Sequence, residues 1–132
     1  MKRDMDLIRE ILLFAEEHIV STDFLQNISE EVFWKHVPAY ENHPWYIIEH
    51  HVELLENQGY LEKHQQTLDP GHLFGHLTWQ GHEFLDSIRD PEIWRKTKDT
   101  AERAGGFTVS ILGGIAKGLI KTKIKEHTGV EV

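Results

Sequence analysis

The sequence predicts an α+β fold, with a winged helix-turn-helix body over residues 1–90 and a C-terminal helical extension over residues 91–132. Three features favour it: a helical stretch that stops at Gly59, a Pro70-Gly71 turn between two extended stretches, and a capped helix directly after them. The predicted order is helix, short helix, helix, hairpin, helix. In a winged helix the third helix is the recognition element and the hairpin is the wing.

The first helix is predicted over residues 4–18, where apolar residues recur at helical spacing and Asp4 or Asp6 can cap the start. A break is predicted at Ser21, Thr22 and Asp23.

Two more helices precede the wing. The stretch 27–30 has the spacing of a capping box and predicts a short helix over about residues 28–36, ended by Pro38. Pro44 opens the third helix, which Gly59 ends. The residues predicted to face the core from this helix are Ile47, His51, Leu54 and Leu55.

The wing is predicted as a hairpin with strands over residues 60–66 and 72–77, joined by the turn at 69–71. Thr78 then caps a helix that runs to about Ile88.

Two helices form the predicted tail. Asp90 and Pro91 start the first of them, since Asp is a good cap and Pro a good first residue. Gly105-Gly106 ends it, and a final helix is expected from about Thr108 to Glu126.

Three stretches carry a resemblance to a known family: MKRDMDLIREILL, HHVELLENQGYLE and LTWQGHEFLDSIRDPEIWRKTK. They resemble the bacterial and phage-associated family called domain of unknown function 2513, which is winged-helix-like and uncharacterised. The likeness covers nearly the whole chain and is densest over residues 1–13 and 77–98. It implies the winged-helix fold and a bacterial or prophage setting, and it brings no catalytic residues with it.

Composition excludes several classes of protein. The chain has no cysteine, so disulfides and thiolate metal sites are excluded, and a reducing cytoplasm is the expected location. The longest stretches without a charged residue, 70–82 and 104–116, are too short for a membrane span, and we expect no membrane partner.

No motif for enzyme chemistry or for a cofactor is present, so we expect a non-enzymatic protein without catalytic or cofactor-binding residues. Among the ten histidines, His50 lies three residues from Glu53, and His72 shares a predicted strand face with His76. Neither pair has the convergent ligands of a zinc site, so we also expect no metal requirement.

The outward face of the third helix is the predicted partner-binding surface. It consists of Trp45, Tyr46, Glu49, His50 and Glu53, with Glu56 on the same side. Aromatic residues beside acids suit a protein partner, although Trp45 and Tyr46 can instead be buried against residues 37–43. DNA binding is the alternative function, which the acidic helix disfavours because phosphates are neutralised by Lys and Arg.

The final helix is the predicted self-association surface. Its apolar side is formed by Ile111, Leu112, Ile115, Ala116, Leu119 and Ile120. Because its glycines weaken an isolated helix, this side must be covered, and we expect a homodimer to cover it. The alternative is that the tail folds back on its own body at Trp79 and Phe84. The overall prediction is a binding module of the transcription-regulator type, acting through a protein partner or self-association.

Overall fold

A computed structural model describes residues 2–19 and 26–129, so the predicted break at residues 21–23 lies outside the described residues. Within those ranges the chain forms six α-helices, one 3-10 turn and a two-stranded sheet, which supports the α+β class. The elements are α1 (Met5–His18), β1 (Gln26–Ile28), α2 (Glu30–His36), the 3-10 turn (Pro38–Tyr40), α3 (Trp45–Asn57), β2 (His72–Phe74), α4 (Trp79–Ile88), α5 (Pro91–Ala104) and α6 (Val109–Thr128).

Two compact units make up the chain, the first ending at His82 and the second starting at Glu83. This boundary lies inside α4, upstream of residue 90, where the sequence places the end of the body. The division into a body and a tail as separate domains stays a prediction.

Aromatic packing around Phe14 organises the core of the first unit. The ring of Phe14, on α1, lies 5.2 Å from that of Phe33 on α2 and 5.5 Å from that of Phe74 on β2. Both contacts are edge-to-face, the geometry that aromatic quadrupoles favour. Helices α1 and α3 pack together, and each contributes fully buried aliphatic side chains, among them Leu7, Ile11, Ile48 and Val52.

Helix caps follow the sequence prediction at most positions. Asp4 accepts from the backbone N–H of Leu7, and Asp90 accepts from those of Glu92 and Ile93. The capping box predicted from Asn27 is wrong, because Asn27 lies in β1 and Ser29 caps α2 instead.

The predicted hairpin is wrong in its first strand. Residues 60–66 contribute only an isolated bridge, between Leu61 and Leu77. Strand β2 instead pairs antiparallel with β1, a strand that was not predicted from the sequence. The side-chain amide of Gln66 explains the difference. It accepts from the N–H of Leu73 at 2.7 Å and donates to its carbonyl at 3.1 Å, so it takes the hydrogen bonds that a neighbouring strand would make.

Gly75 allows residue 62 to lie against the end of β2. A Cβ atom at this position would collide with the backbone oxygen of Glu62. The same two segments are joined by a hydrogen bond from the N–H of Glu62 to the carbonyl of His76, at 2.9 Å. The close approach therefore requires a residue without a side chain.

In the second unit, α5 and α6 pack against each other. The buried residues on α5 recur at helical spacing and include Ile93, Thr97 and Ala101, and those on α6 are Leu112 and Ala116. Helix α5 therefore covers part of the apolar side of α6 from within the same chain.

We expect Gly75→Ala to lower the free energy of unfolding by about 2 kcal/mol, because the new methyl group forces backbone apart. Gly114→Ala is the matched control: nothing lies near its added Cβ, so helix propensity should raise stability by about 1 kcal/mol. Urea denaturation followed by circular dichroism measures both. Unchanged stability in Gly75→Ala would contradict the packing described.

Candidate functional site

The start of α1 is fixed to α3 by hydrogen bonds around His51. The buried imidazole accepts from the backbone N–H of Asp4 at Nε2, at 2.9 Å, and its Nδ1 donates to the carbonyl of Ile47, at 2.8 Å. Because Nε2 accepts, His51 is the neutral Nδ1–H tautomer. The hydroxyl of Tyr40 donates to the Asp4 carboxylate at 2.8 Å, so the 3-10 turn joins the same network. This network determines how α3 presents its outer surface.

The predicted binding residues of α3 differ in their exposure. Tyr46 is 67% exposed and Glu53 is exposed, whereas Glu49 and His50 are half-buried. Trp45 is also half-buried, with its ring edge-on to Phe33 at 6.2 Å. These positions are compatible with the predicted partner surface, which stays a prediction.

Glu56 corrects the predicted outward face, because its side chain is buried. The reason is His72, a fully buried residue on β2. Nε2 of His72 lies 3.2 and 3.1 Å from the two carboxylate oxygens of Glu56. A buried carboxylate needs such a donor, and the contact holds the side chain of Glu56 inside the protein.

The other ring nitrogen of His72 faces a second carboxylate. Nδ1 lies 3.1 Å from Oε2 of Glu49, which is on the same side of α3 as Glu56. His72 therefore lies between two acidic side chains that are seven residues, or about two turns, apart on the same helix. We call Glu49, Glu56 and His72 the histidine clamp.

Electrostatics favour the charged form of His72. Burial is the largest single influence and opposes the charge, but hydrogen bonds and charge from Glu56 and then Glu49 together outweigh it. They raise the pKa of His72 above its ordinary value of 6.5. Because this pKa is raised, the contribution of charged His72 to the free energy of unfolding is complete below pH 6.5. That contribution is lost as the pH rises through the folded-state pKa.

A cavity of about 180 Å³ opens beside the clamp. It is lined by Glu53, Glu56, Asn57, Lys63, His64, Gln66 and His72. Lys63 donates to the side-chain oxygen of Asn57 at 2.8 Å. Nε2 of His64 is shielded from solvent and has no hydrogen-bond partner among the described residues, with a carboxylate oxygen of Glu62 at 3.8 Å.

One group of potential metal ligands forms within the described ranges. Single ligand atoms of Glu49, Glu53 and His72 all lie within 4.8 Å of one another. The pairs considered from the sequence, His50 with Glu53 and His72 with His76, do not form such a group there. Sequence reasoning missed Glu56 and the pairing of His72 with α3. The one available signal was the spacing of Glu49, Glu53 and Glu56 on one side of a helix.

The predicted self-association residues also differ in exposure. Ile111 is 42% exposed, Ile115 and Leu119 are half-buried, and Leu112 is fully buried. Leu112 is therefore part of the packing of its own chain, and the accessible apolar surface of α6 is formed by its neighbours and by Ile124, at 37% exposure. Self-association itself stays a prediction. No helix in the described part of the chain has the length and hydropathy needed to cross a lipid bilayer.

Fold and site together define a helix-rich α+β protein with an acidic third helix fixed to a small sheet by a buried histidine. Residues 2–107 match the family described as "Hypothetical protein (DUF2513)", and the chain belongs to that family. An "Uncharacterized protein" of Haemophilus influenzae is 34% identical over 102 residues, which are 76% of this chain and 78% of that protein. No solved structure gives a significant match.

We expect His72→Leu to lower the free energy of unfolding by about 3 kcal/mol, because it leaves the Glu56 carboxylate buried without a donor. The double variant His72→Leu, Glu56→Leu should recover most of that loss, since an apolar pair can replace a buried ion pair. Denaturation at pH 6 measures both. If His72→Leu is as stable as the unchanged protein, the histidine clamp makes no contribution to the free energy of unfolding.

Proposed function

We propose that this protein is a cytoplasmic, non-enzymatic winged-helix binding module of the transcription-regulator type, which binds a protein partner or a second copy of itself. The chemistry of the α3 surface carries the proposal. Tyr46 is exposed beside acidic side chains, and no Lys or Arg lies on this helix.

The arrangement of the first unit supports the winged-helix part of the proposal. Helices α2 and α3, joined by the 3-10 turn, have the place of a helix-turn-helix, and α1 packs on α3. The antiparallel strands β1 and β2 lie before and after this segment in the chain. In this proposal the wing is the loop over residues 62–71, with Leu68 fully exposed.

Charge argues against DNA as the ligand of α3. Between residues 36 and 88 the sequence holds one Lys, Lys63, and no Arg, against eight acidic residues. The ammonium group of Lys63 already donates to Asn57. Proteins that bind duplex DNA draw much of their affinity from phosphate neutralisation, which this surface does not offer.

A protein partner fits the same surface better. Tyrosine is a frequent anchor of protein interfaces, because it combines a large apolar ring with a polar end. Trp45 supports this use of Tyr46, since its own ring packs on Phe33 and fixes the start of the helix. The exposed carboxylate of Glu53 favours a partner segment with basic residues.

The tail supplies a second surface, suited to self-association. Ile111 and Ile124 are exposed on α6, while Lys117, Lys121 and Lys125 are exposed as well. The alternative, a tail that folds back on its own body at Trp79 and Phe84, stays a prediction; within the second unit, Phe84 is buried and Gly113 of α6 lies beside it. Exposed apolar side chains on α6 favour a second copy as their cover.

We expect no steeply salt-dependent binding of the full chain to random duplex DNA, measured by fluorescence anisotropy from low to physiological salt. The physical reason is repulsion between phosphates and Glu49 and Glu53. Tight binding that Tyr46→Ala and His50→Ala abolish would instead support the alternative, a DNA-binding transcriptional regulator of phage or prophage origin.

We expect the full chain to sediment as a dimer at high protein concentration. The double variant Ile111→Gln, Ile124→Gln should sediment as a monomer, because it removes apolar contact area without disturbing the buried residues of α6. Ser110→Gln, an exposed polar position on the same helix, is the control and should remain dimeric. A monomeric full chain at high concentration would rule out self-association through α6.

A further inference from the structure

We propose that Glu49, Glu53 and His72 form a binding site for a divalent transition-metal ion of the zinc type, with Glu56 orienting the histidine from behind. This goes beyond the binding function proposed above, and it revises the expectation from sequence that no metal site is present.

The geometry of the three residues favours a shared ion. Glu49 and Glu53 are one turn apart on α3, so their carboxylates project from the same side of the helix. His72 approaches from β2, and the ligand atoms of all three lie within 4.8 Å of one another. Glu53 is exposed, so its side chain is free to rotate toward an ion that the other two residues hold.

The orientation of His72 also favours a bound ion, and it is set by a residue outside the ligand set, Glu56. Nε2–H is directed at the buried carboxylate of Glu56, at 3.1 and 3.2 Å, which keeps the proton on that nitrogen. When the ring is neutral, the lone pair is therefore on Nδ1, the nitrogen that faces Glu49. Histidine ligands of metals are oriented in this way by a carboxylate on their other nitrogen.

The local charge favours a cation as well. Three carboxylates, Glu49, Glu53 and Glu56, outnumber the positive charges that a protonated His72 and Lys63 bring to the same region. Binding of an ion at Nδ1 displaces a proton from that nitrogen to solvent, while Nε2–H keeps its bond to Glu56. An added divalent charge thus lies among groups that attract it.

The donor set selects the class of metal. One imidazole nitrogen and two carboxylates suit zinc and neighbouring transition metals, whereas magnesium and calcium prefer ligand sets made of oxygen alone. Three protein ligands leave a fourth position, which is on the solvent side because Glu53 is exposed. The ion would join two turns of α3 to β2 and stiffen the proposed partner surface.

The test uses the full chain, stripped with chelator and titrated with Zn²⁺ in a calorimeter. We expect one tight equivalent per chain, which Glu53→Gln weakens by about tenfold or more. Glu53→Gln leaves the histidine clamp intact, so it should fold normally. Glu31→Gln, the same change at an exposed position on α2, is the control for adventitious binding and should bind as the unchanged chain does.

Histidine ¹⁵N spectra identify the liganding atom in the same samples. We expect Zn²⁺ to shift Nδ1 of His72 while Nε2 stays protonated, and excess Mg²⁺ not to reverse the shift. The proposal is overturned if Glu53→Gln binds Zn²⁺ as tightly as the control, if the shifted nitrogen belongs to another histidine, or if no tight equivalent is found.

Discussion

His72 is fully buried between the carboxylates of Glu49 and Glu56, and this contact connects the small sheet to the third helix. A two-stranded sheet of three-residue strands has little stability of its own. The clamp gives it a charged, directional attachment to α3, next to the aromatic packing of Phe74 on Phe14. A buried carboxylate without that donor would lower the stability of the folded protein. The position of β2 and the inward orientation of the Glu56 side chain therefore depend on each other.

The surface of α3 follows from the same constraint. The side chain of Glu56 is buried against His72, that of Glu49 contacts His72 and is half-buried, and that of Glu53 is exposed to solvent. In the middle of the same helix, Nε2 of His51 accepts a hydrogen bond from the backbone N–H of Asp4, at the start of α1. Two histidines of one chain thus fix α3 in two ways, one through charge and the other through hydrogen bonds alone. Near the start of the helix, Tyr46 remains exposed and accessible to a partner.

Local features of the fold were predictable from the sequence, and long-range pairings were not. The caps Asp4, Thr78 and Asp90 depend on a few neighbouring residues, so spacing alone identifies them. The partner of β2 is β1, more than forty residues away, and Gln66 replaces the predicted neighbouring strand through its side chain. Helical spacing showed that Glu49, Glu53 and Glu56 share a side of α3, but it carries no information on which strand residue meets them.

A pH titration of the ring ¹⁵N signals of His72 in chelator-containing buffer measures whether this buried histidine is charged. The clamp predicts a midpoint above the ordinary value of 6.5, because two carboxylates outweigh the effect of burial. Glu56→Gln should lower that midpoint, while the tautomer of neutral His51 should not change. A midpoint for His72 at or below 6.5 would mean that the effect of burial prevails, and it would contradict a charged histidine that holds β2 on α3.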